Sequence, residues 1–152
     1  MTYDTLDACG FIQLLQSFRA SGGTAPGGVL DGLLAEHPVG EAISLASLVD
    51  TGRVFGFEWR NNLWIPMFQF DARDLSTVSA PQTVRAGLPA GLSGWAVAMW
   101  FAMPNARLDG SRPVDLLASD ASAVVQAAQG LSSADESALL RMPQARDVAI
   151  PA

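Results

Sequence analysis

The chain has 152 residues, of which 49% are hydrophobic and 16% charged, a balance that belongs to a globular rather than a disordered protein. Fifteen acidic residues outweigh nine arginines and there is no lysine, and a net charge of −6 argues against non-specific nucleic-acid binding, which draws most of its affinity from a basic surface. One cysteine excludes an intrachain disulfide, and a chain of this length can bury roughly 68–70% of its unfolded surface without a metal or disulfide to help.

Residues 6–18 carry Leu6, Phe11, Ile12, Leu14, Leu15 and Phe18 at roughly helical spacing, with Gly10 as a weak point. Cys9 lies in this apolar run and is expected to be a buried, inert thiol. Residues 21–28, Ser-Gly-Gly-Thr-Ala-Pro-Gly-Gly, read as a flexible surface loop. A short helix is expected over 29–35, closed by Pro38, and another over 41–49, ended by Asp50-Thr51-Gly52.

Residues 54–59 and 63–70 give the strongest strand patterns, rich in aromatic and β-branched side chains, with Arg60-Asn61-Asn62 as the turn of a hairpin. Alternation places Phe55, Phe57 and Trp59 on one face and Glu58 on the other. Pro66 interrupts the second run, so that strand is expected at an edge or with a bulge. A lone hairpin is marginal in water, so its apolar face must pack on helices or on a second copy, which leaves homodimerisation through this sheet open.

Residues 71–89 are polar with one short helix expected around Val84. Residues 93–103 form a helix capped by Ser93 and apolar nearly all round, which Pro104 closes. A tight corner follows, where Asn105, Asp109 and Gly110 supply the turn chemistry and Gly110 can take a positive φ. Pro113 suits the first turn of the next short helix, with Asp115 near its positive end. Leu108, Val114, Leu116 and Leu117 are expected to anchor this corner in the core. The next helix, 119–129, should be capped by Ser119 and stopped by Gly130. A last helix begins near Ser133 with Ala138, Leu139, Leu140 and Met142 on its apolar side. Pro143 ends it, before a mobile tail over 144–152.

The fold class implied is α+β: a mainly helical protein with one short antiparallel hairpin, about 54–70, packed on a C-terminal helical unit. The segments are 1–52, helical and of unassigned role; 53–130, hairpin plus helical domain; and 131–152, helix and tail.

Taken in order, Trp95, Trp100, Pro104-Asn105, Leu108, Gly110, Pro113 and Leu116-Leu117 resemble the toxin-binding domain of the Xre/MbcA/ParS family of bacterial antitoxins. Upstream, Ile65-Pro66-Met67-Phe68-Gln69-Phe70-Asp71 resembles the P-x-F-Q-F-D strand of longer members. Downstream, Val124, Val125, Ala127 and Ala128 fit the helix that follows the family's Leu-Leu pair. The resemblance covers residues 54–130, about half the chain. It implies an antitoxin that neutralises a cognate toxin by direct binding, the usual toxin being a RES-domain enzyme that consumes NAD⁺, with the antitoxin occluding the active-site entrance.

Catalytic chemistry is not indicated by the residues. His37 has no second His or Cys near it to share a metal, and nothing places Cys9 beside it as a nucleophile. The acids near turns, Asp71 with Asp74 and Asp109 with Asp115, suit backbone capping. The glycine pairs lack the strand–helix context of a phosphate loop, and a Walker motif needs a lysine. Neither an enzyme, a cofactor nor a metal is therefore expected. Relatives often carry a helix-turn-helix, but the segment 43–52 is preceded by Pro26 and Pro38 and followed by no arginine-rich helix, so DNA binding is not favoured.

The expected partner-binding residues are Asn105, Arg107, Leu108, Asp109, Gly110, Arg112 and Pro113 at the corner, with Arg141 and Arg146 from the last helix and tail. Arg107, Asp109 and Arg112 are the exposed charges expected to touch the toxin, while Arg141 and Arg146 could reach an anionic nucleotide cleft. The alternatives are a DNA-binding repressor of a toxin–antitoxin operon and an orphan binding module without a toxin. With no basic leader and no apolar run near 18 residues, neither secretion nor a membrane span is expected, and the default location is cytoplasmic.

Overall fold

The computed structural model describes residues 2–36, 44–71 and 73–141, with side chains from residue 9 onward. The readings that fall on His37, Pro38, Met142, Pro143, Arg146 and the rest of the tail lie outside the described residues. Among the described residues eight α-helices accompany a small three-stranded sheet, a mainly helical α+β fold.

The first helix, α1 (Thr2–Ser17), buries Phe11 and Leu14, with buried Phe18 directly past its end at the same spacing, and turns Ile12 outward. Cys9 lies on the outward side and is exposed, which corrects the expectation of a buried thiol. Phe11 and Leu14, its buried neighbours in sequence, belong to the opposite face of the helix, while Ile12 shares the exposed face.

The expected surface loop over 21–28 instead contains a strand, β1 (Thr24–Pro26), followed directly by α2 (Gly27–Glu36). β1 pairs with β3 (Asn62–Pro66), which also pairs with β2 (Phe57–Trp59), in the order β1-β3-β2 and antiparallel throughout. β3 is therefore the central strand and not the edge that Pro66 suggested. Pro66 is tolerated there because it is the last residue of the strand, opposite Thr24, where the ladder ends. The hairpin turn holds two residues, Arg60 and Asn61, at φ +49 and +66, while Asn62 already pairs with Trp59.

Both expected strands are shorter than their apolar runs. Residues 67–69 tighten into a 3₁₀ turn, Met67–Gln69, closed by Phe70 N–H on the Met67 carbonyl. That turn aims Gln69, only 2% exposed, back at Phe55. Gln69 Oε1 accepts from Phe55 N–H at 2.8 Å, and its Nε2 donates to the Phe55 carbonyl at 2.8 Å and the Pro66 carbonyl at 3.0 Å. A side-chain amide thus replaces a ladder rung, and residues 54–56 lead into β2 without joining the ladder.

The sheet separates two cores. Period-2 alternation sends Leu63 and Ile65 to the side covered by α2 and α3 (Leu45–Asp50), with Leu30, Leu45, Leu48, Val54 and Phe70. Trp64 faces the other way, into the larger core with Phe55, Phe57 and Trp59. There Phe11 stacks on Trp59 at 4.8 Å and Phe57 meets Trp95 edge-on at 5.4 Å. The hairpin's apolar face is covered by α1 and by α5 (Gly94–Ala102) of the same chain. This larger core runs from Phe11 to Leu139 and includes residues of all three expected segments.

Ser93 caps α5, its Oγ accepting from Ala96 N–H at 3.1 Å. The first residue of α5 must be glycine for steric reasons, because a Cβ on Gly94 would run into the carbonyl oxygen of Gly56. The polar stretch before it holds α4 (Ser79–Gly87), with Val84 fully buried at the expected place. Beyond α5 come α6 (Pro113–Leu116), α7 (Ala121–Gln129) and α8 (Ser133–Leu140). Asp120 rather than Ser119 caps α7, its carboxylate accepting from Ala123 N–H at 3.2 Å, while Ser119 closes the preceding turn on Leu116. Ser132 caps α8 in the same way, accepting from Asp135 N–H. No helix among the described residues is long and apolar enough to cross a membrane.

Candidate partner-binding corner

α5 buries seven of its nine residues, including Trp95, Trp100 and Phe101, so its direction is fixed by the core on nearly every side. It stops at Ala102: Met103 closes the last turn on Met99 and swings to an extended conformation before Pro104, as the proline requires. Met103 emerges 43% exposed, an unusual position for a large apolar side chain at the end of a buried helix.

The chain then makes a compact hydrogen-bonded corner. Asn105 N–H donates to the Ser111 carbonyl, and the Asn105 carbonyl accepts from Leu108 and Gly110. Asn105 Oδ1 also accepts from Arg107 N–H at 2.9 Å, capping the 3₁₀ turn Ala106–Leu108. Asp109 and Gly110 both take positive φ, +55 and +83, so the reversal needs two left-handed residues where the sequence suggested one. Leu108 plugs the corner into the core, and Pro113 is buried at the first position of α6.

Arg112 does not extend freely into solvent. Its Nε and Nη2 fork onto Asp115 at 2.8 Å each, while Nη1 donates to the Ser17 carbonyl at 2.7 Å. This arginine ties the corner to the end of α1 and is partly buried, not the exposed charge the sequence suggests. Arg107 stays exposed, with its guanidinium over Gly130 at the carboxyl end of α7, where a Cβ would lie 2.8 Å from Nη1.

Between this corner and α8 lies a groove of about 580 Å³, walled by Trp100, Met103, Asn105, Arg107, Leu131 and Asp135, with Ala138 and Leu139 behind. Trp100 is 5% exposed and its indole Nε1 has no hydrogen-bond partner among the described residues. Met103 also borders a second groove of about 360 Å³, between α1 and α5, lined by Gln13, Leu14, Gln16, Ser17, Met99 and Ala102. The two grooves therefore meet at one exposed, conformationally adaptable methionine.

The nine sequence-predicted residues divide by role. Asn105, Leu108, Gly110 and Pro113 build the corner, and Arg112 anchors it. Asn105 and Arg107 also wall the groove, Asp109 is exposed at the tip, and Arg141 caps α8 outside the groove lining. Arg146 lies outside the described residues. Sequence reasoning missed Met103, Leu131, Asp135 and Ala138 as members of this surface. Only Met103 left a local signal, a large apolar residue directly before the proline that ends a buried helix.

Among the described residues no group of three His, Cys, Asp or Glu is placed to hold a metal ion. Compared with family models, with curated proteins and with solved structures, the chain gives no match.

Proposed function

We propose that this protein is an antitoxin-like binding protein of the cytoplasm that neutralises a cognate toxin, of the RES-type NAD⁺-consuming class, by covering its active-site entrance. The reading is supported by the residues that resemble the Xre/MbcA/ParS toxin-binding domain and by where those residues lie. The observation that carries it is the groove of about 580 Å³ beside the corner, with Trp100 in its wall and exposed Met103 and Arg107 at its rim. A rigid corner, a buried aromatic wall and an adaptable methionine suit a protein hot spot, where a few anchors carry most of the binding energy. One charge of each sign, Arg107 and Asp135, flanks the groove and would fix the orientation of a partner element.

Occlusion needs no chemistry from this chain, only a stable interface of roughly 1,200–2,000 Å². The test is inhibition of the toxin's NAD⁺ consumption by purified wild-type protein and three variants. Met103→Asp and Arg107→Glu should each weaken inhibition by about tenfold or more, since an alanine-scale hot spot is worth roughly 2 kcal/mol. Arg112→Ala should lower stability and leave inhibition intact wherever the protein is folded, because its guanidinium is spent on Ser17 and Asp115. Unchanged inhibition by Met103→Asp and Arg107→Glu would move the interface away from this corner.

A further inference from the structure

The groove between the corner and α8 differs from an ordinary surface cleft in what its rim exposes. Met103, Pro104, Ala106 and Ala138 all bring apolar surface to solvent there, beside two exposed opposite charges, Arg107 and Asp135. Neither charge belongs to the ion pairs of the described residues, which are Arg73 with Asp71 and Arg112 with Asp115. An apolar rim with polar flanks is a surface that proteins cover.

The chain itself carries a segment of matching chemistry that starts at the groove's edge. α8, which supplies Asp135, Ala138 and Leu139 to the groove, ends at Leu140, and residues 142–152 follow, outside the described residues. Pro143 cannot continue the helix, and beyond it come Arg146-Asp147 and then Val148-Ala149-Ile150. In an extended segment Arg146, Val148 and Ile150 share one face, a cation followed by two aliphatic side chains. The reach is sufficient. From Arg141 to Arg146 an extended chain spans up to roughly 17 Å, whereas the eight residues of α8 rise only about 12 Å.

We propose that residues 146–150 fold back over α8 into this groove, with Arg146 on Asp135 and with Val148 and Ile150 against the apolar rim at Met103 and Ala138. Tethering makes a weak contact sufficient. Two aliphatic side chains and one exposed ion pair give a free peptide an affinity of about 1 mM, and a short tether supplies an effective concentration of the same order. Docked and undocked forms are then comparably populated. The segment shields the rim of the free protein and yields to a partner at a cost of about twofold in apparent affinity. The inference uses the groove named above as the partner surface, and its test contains no toxin, so each reading can fail without the other.

The experiment places a nitroxide on Ala152→Cys in the full chain carrying Cys9→Ser, Cys9 being the one native cysteine, and reads paramagnetic broadening of ¹⁵N amides. Expected is broadening concentrated at Met103, Arg107, Leu131, Asp135 and Ala138. It should vanish when ¹⁵N chains without nitroxide are mixed with ¹⁴N chains that carry it. Arg146→Asp should lower the docked-to-undocked ratio about threefold or more, and Asp135→Arg added to it should restore the ratio. Val148→Ser with Ile150→Ser changes no residue of either core and should lower the ratio about tenfold, which keeps the test decisive if Asp135→Arg does not fold. Broadening spread evenly over the surface, broadening carried between chains in the mixture, or a pattern unmoved by Arg146→Asp and by the double serine variant would overturn the assignment.

Discussion

Replacing Gln69 with Met removes a single amide while keeping an unbranched side chain of similar length, and the structure assigns that amide a large share of the local order. The side chain is 2% exposed and makes three hydrogen bonds, two of them to the N–H and C=O of Phe55. Without them both polar groups of Phe55 are left in a buried setting. An orphaned buried group costs about 1–3 kcal/mol, the N–H more than a carbonyl, and the added apolar contact returns about 1 kcal/mol. The net loss should be about 3 kcal/mol, a large fraction of the ~5–15 kcal/mol typical of a domain. At this chain length that corresponds to a fall in Tm of roughly 6–12 °C, read by thermal melting, with faster amide exchange at Phe55. Gln69→Glu gives a second signature. Its carboxyl would face two carbonyl oxygens and favour the protonated form, raising its folded pKa above the unfolded value of ~4.3. The variant's stability would then be fullest below about pH 4.3 and be lost as pH rises through the raised folded pKa. A Gln69→Met protein within about 0.5 kcal/mol of wild type would refute this account of the 54–56 segment.

Gly94→Ala should destabilise by about 2–3 kcal/mol or more, measured by urea unfolding, because the new methyl meets the Gly56 carbonyl and α5 must move. Asn61→Gly should raise stability by about 0.5 kcal/mol, since the second residue of the hairpin turn sits at φ +66 and glycine holds that conformation without strain. Arg73 holds the Asp71 carboxyl down at about 2 from its usual 3.8, by hydrogen bonds from its side chain and backbone N–H. A depressed folded pKa stabilises above the unfolded value, so that contribution is present above about pH 4 and lost as pH falls through 2. In Asp71→Asn the acid-side slope of stability between those limits should flatten, as followed by circular dichroism.

Much of the corner was legible because its signals are local. Ser93, Pro104, Gly110 and Pro113 each act on their own backbone within a turn, and the structure uses all four as expected. β1 was not legible, because Thr24-Ala25-Pro26 has no strand pattern and becomes a strand only where β3 offers an edge. The same holds for the Met67–Gln69 turn: its apolar residues read as strand, while the long-range bond from Gln69 to Phe55 ends the ladder. Cys9 was misjudged from its neighbours in sequence when the period of α1, set by Phe11, Leu14 and Phe18, was the relevant measure. Arg112 looked like a surface charge because its partner, the Ser17 carbonyl, is 95 residues away. The groove escaped notice for the same reason, since Met103 and Ala138 meet only through the tertiary fold.

The most direct measurement is affinity capture of the tagged chain from its native host, with bound proteins identified by mass spectrometry and assayed for NAD⁺ consumption after separation. The account predicts a stoichiometric partner that consumes NAD⁺ once released and is silenced when the chain is added back. Recovery of self-associated chain alone, even when the neighbouring gene is co-expressed, would contradict it.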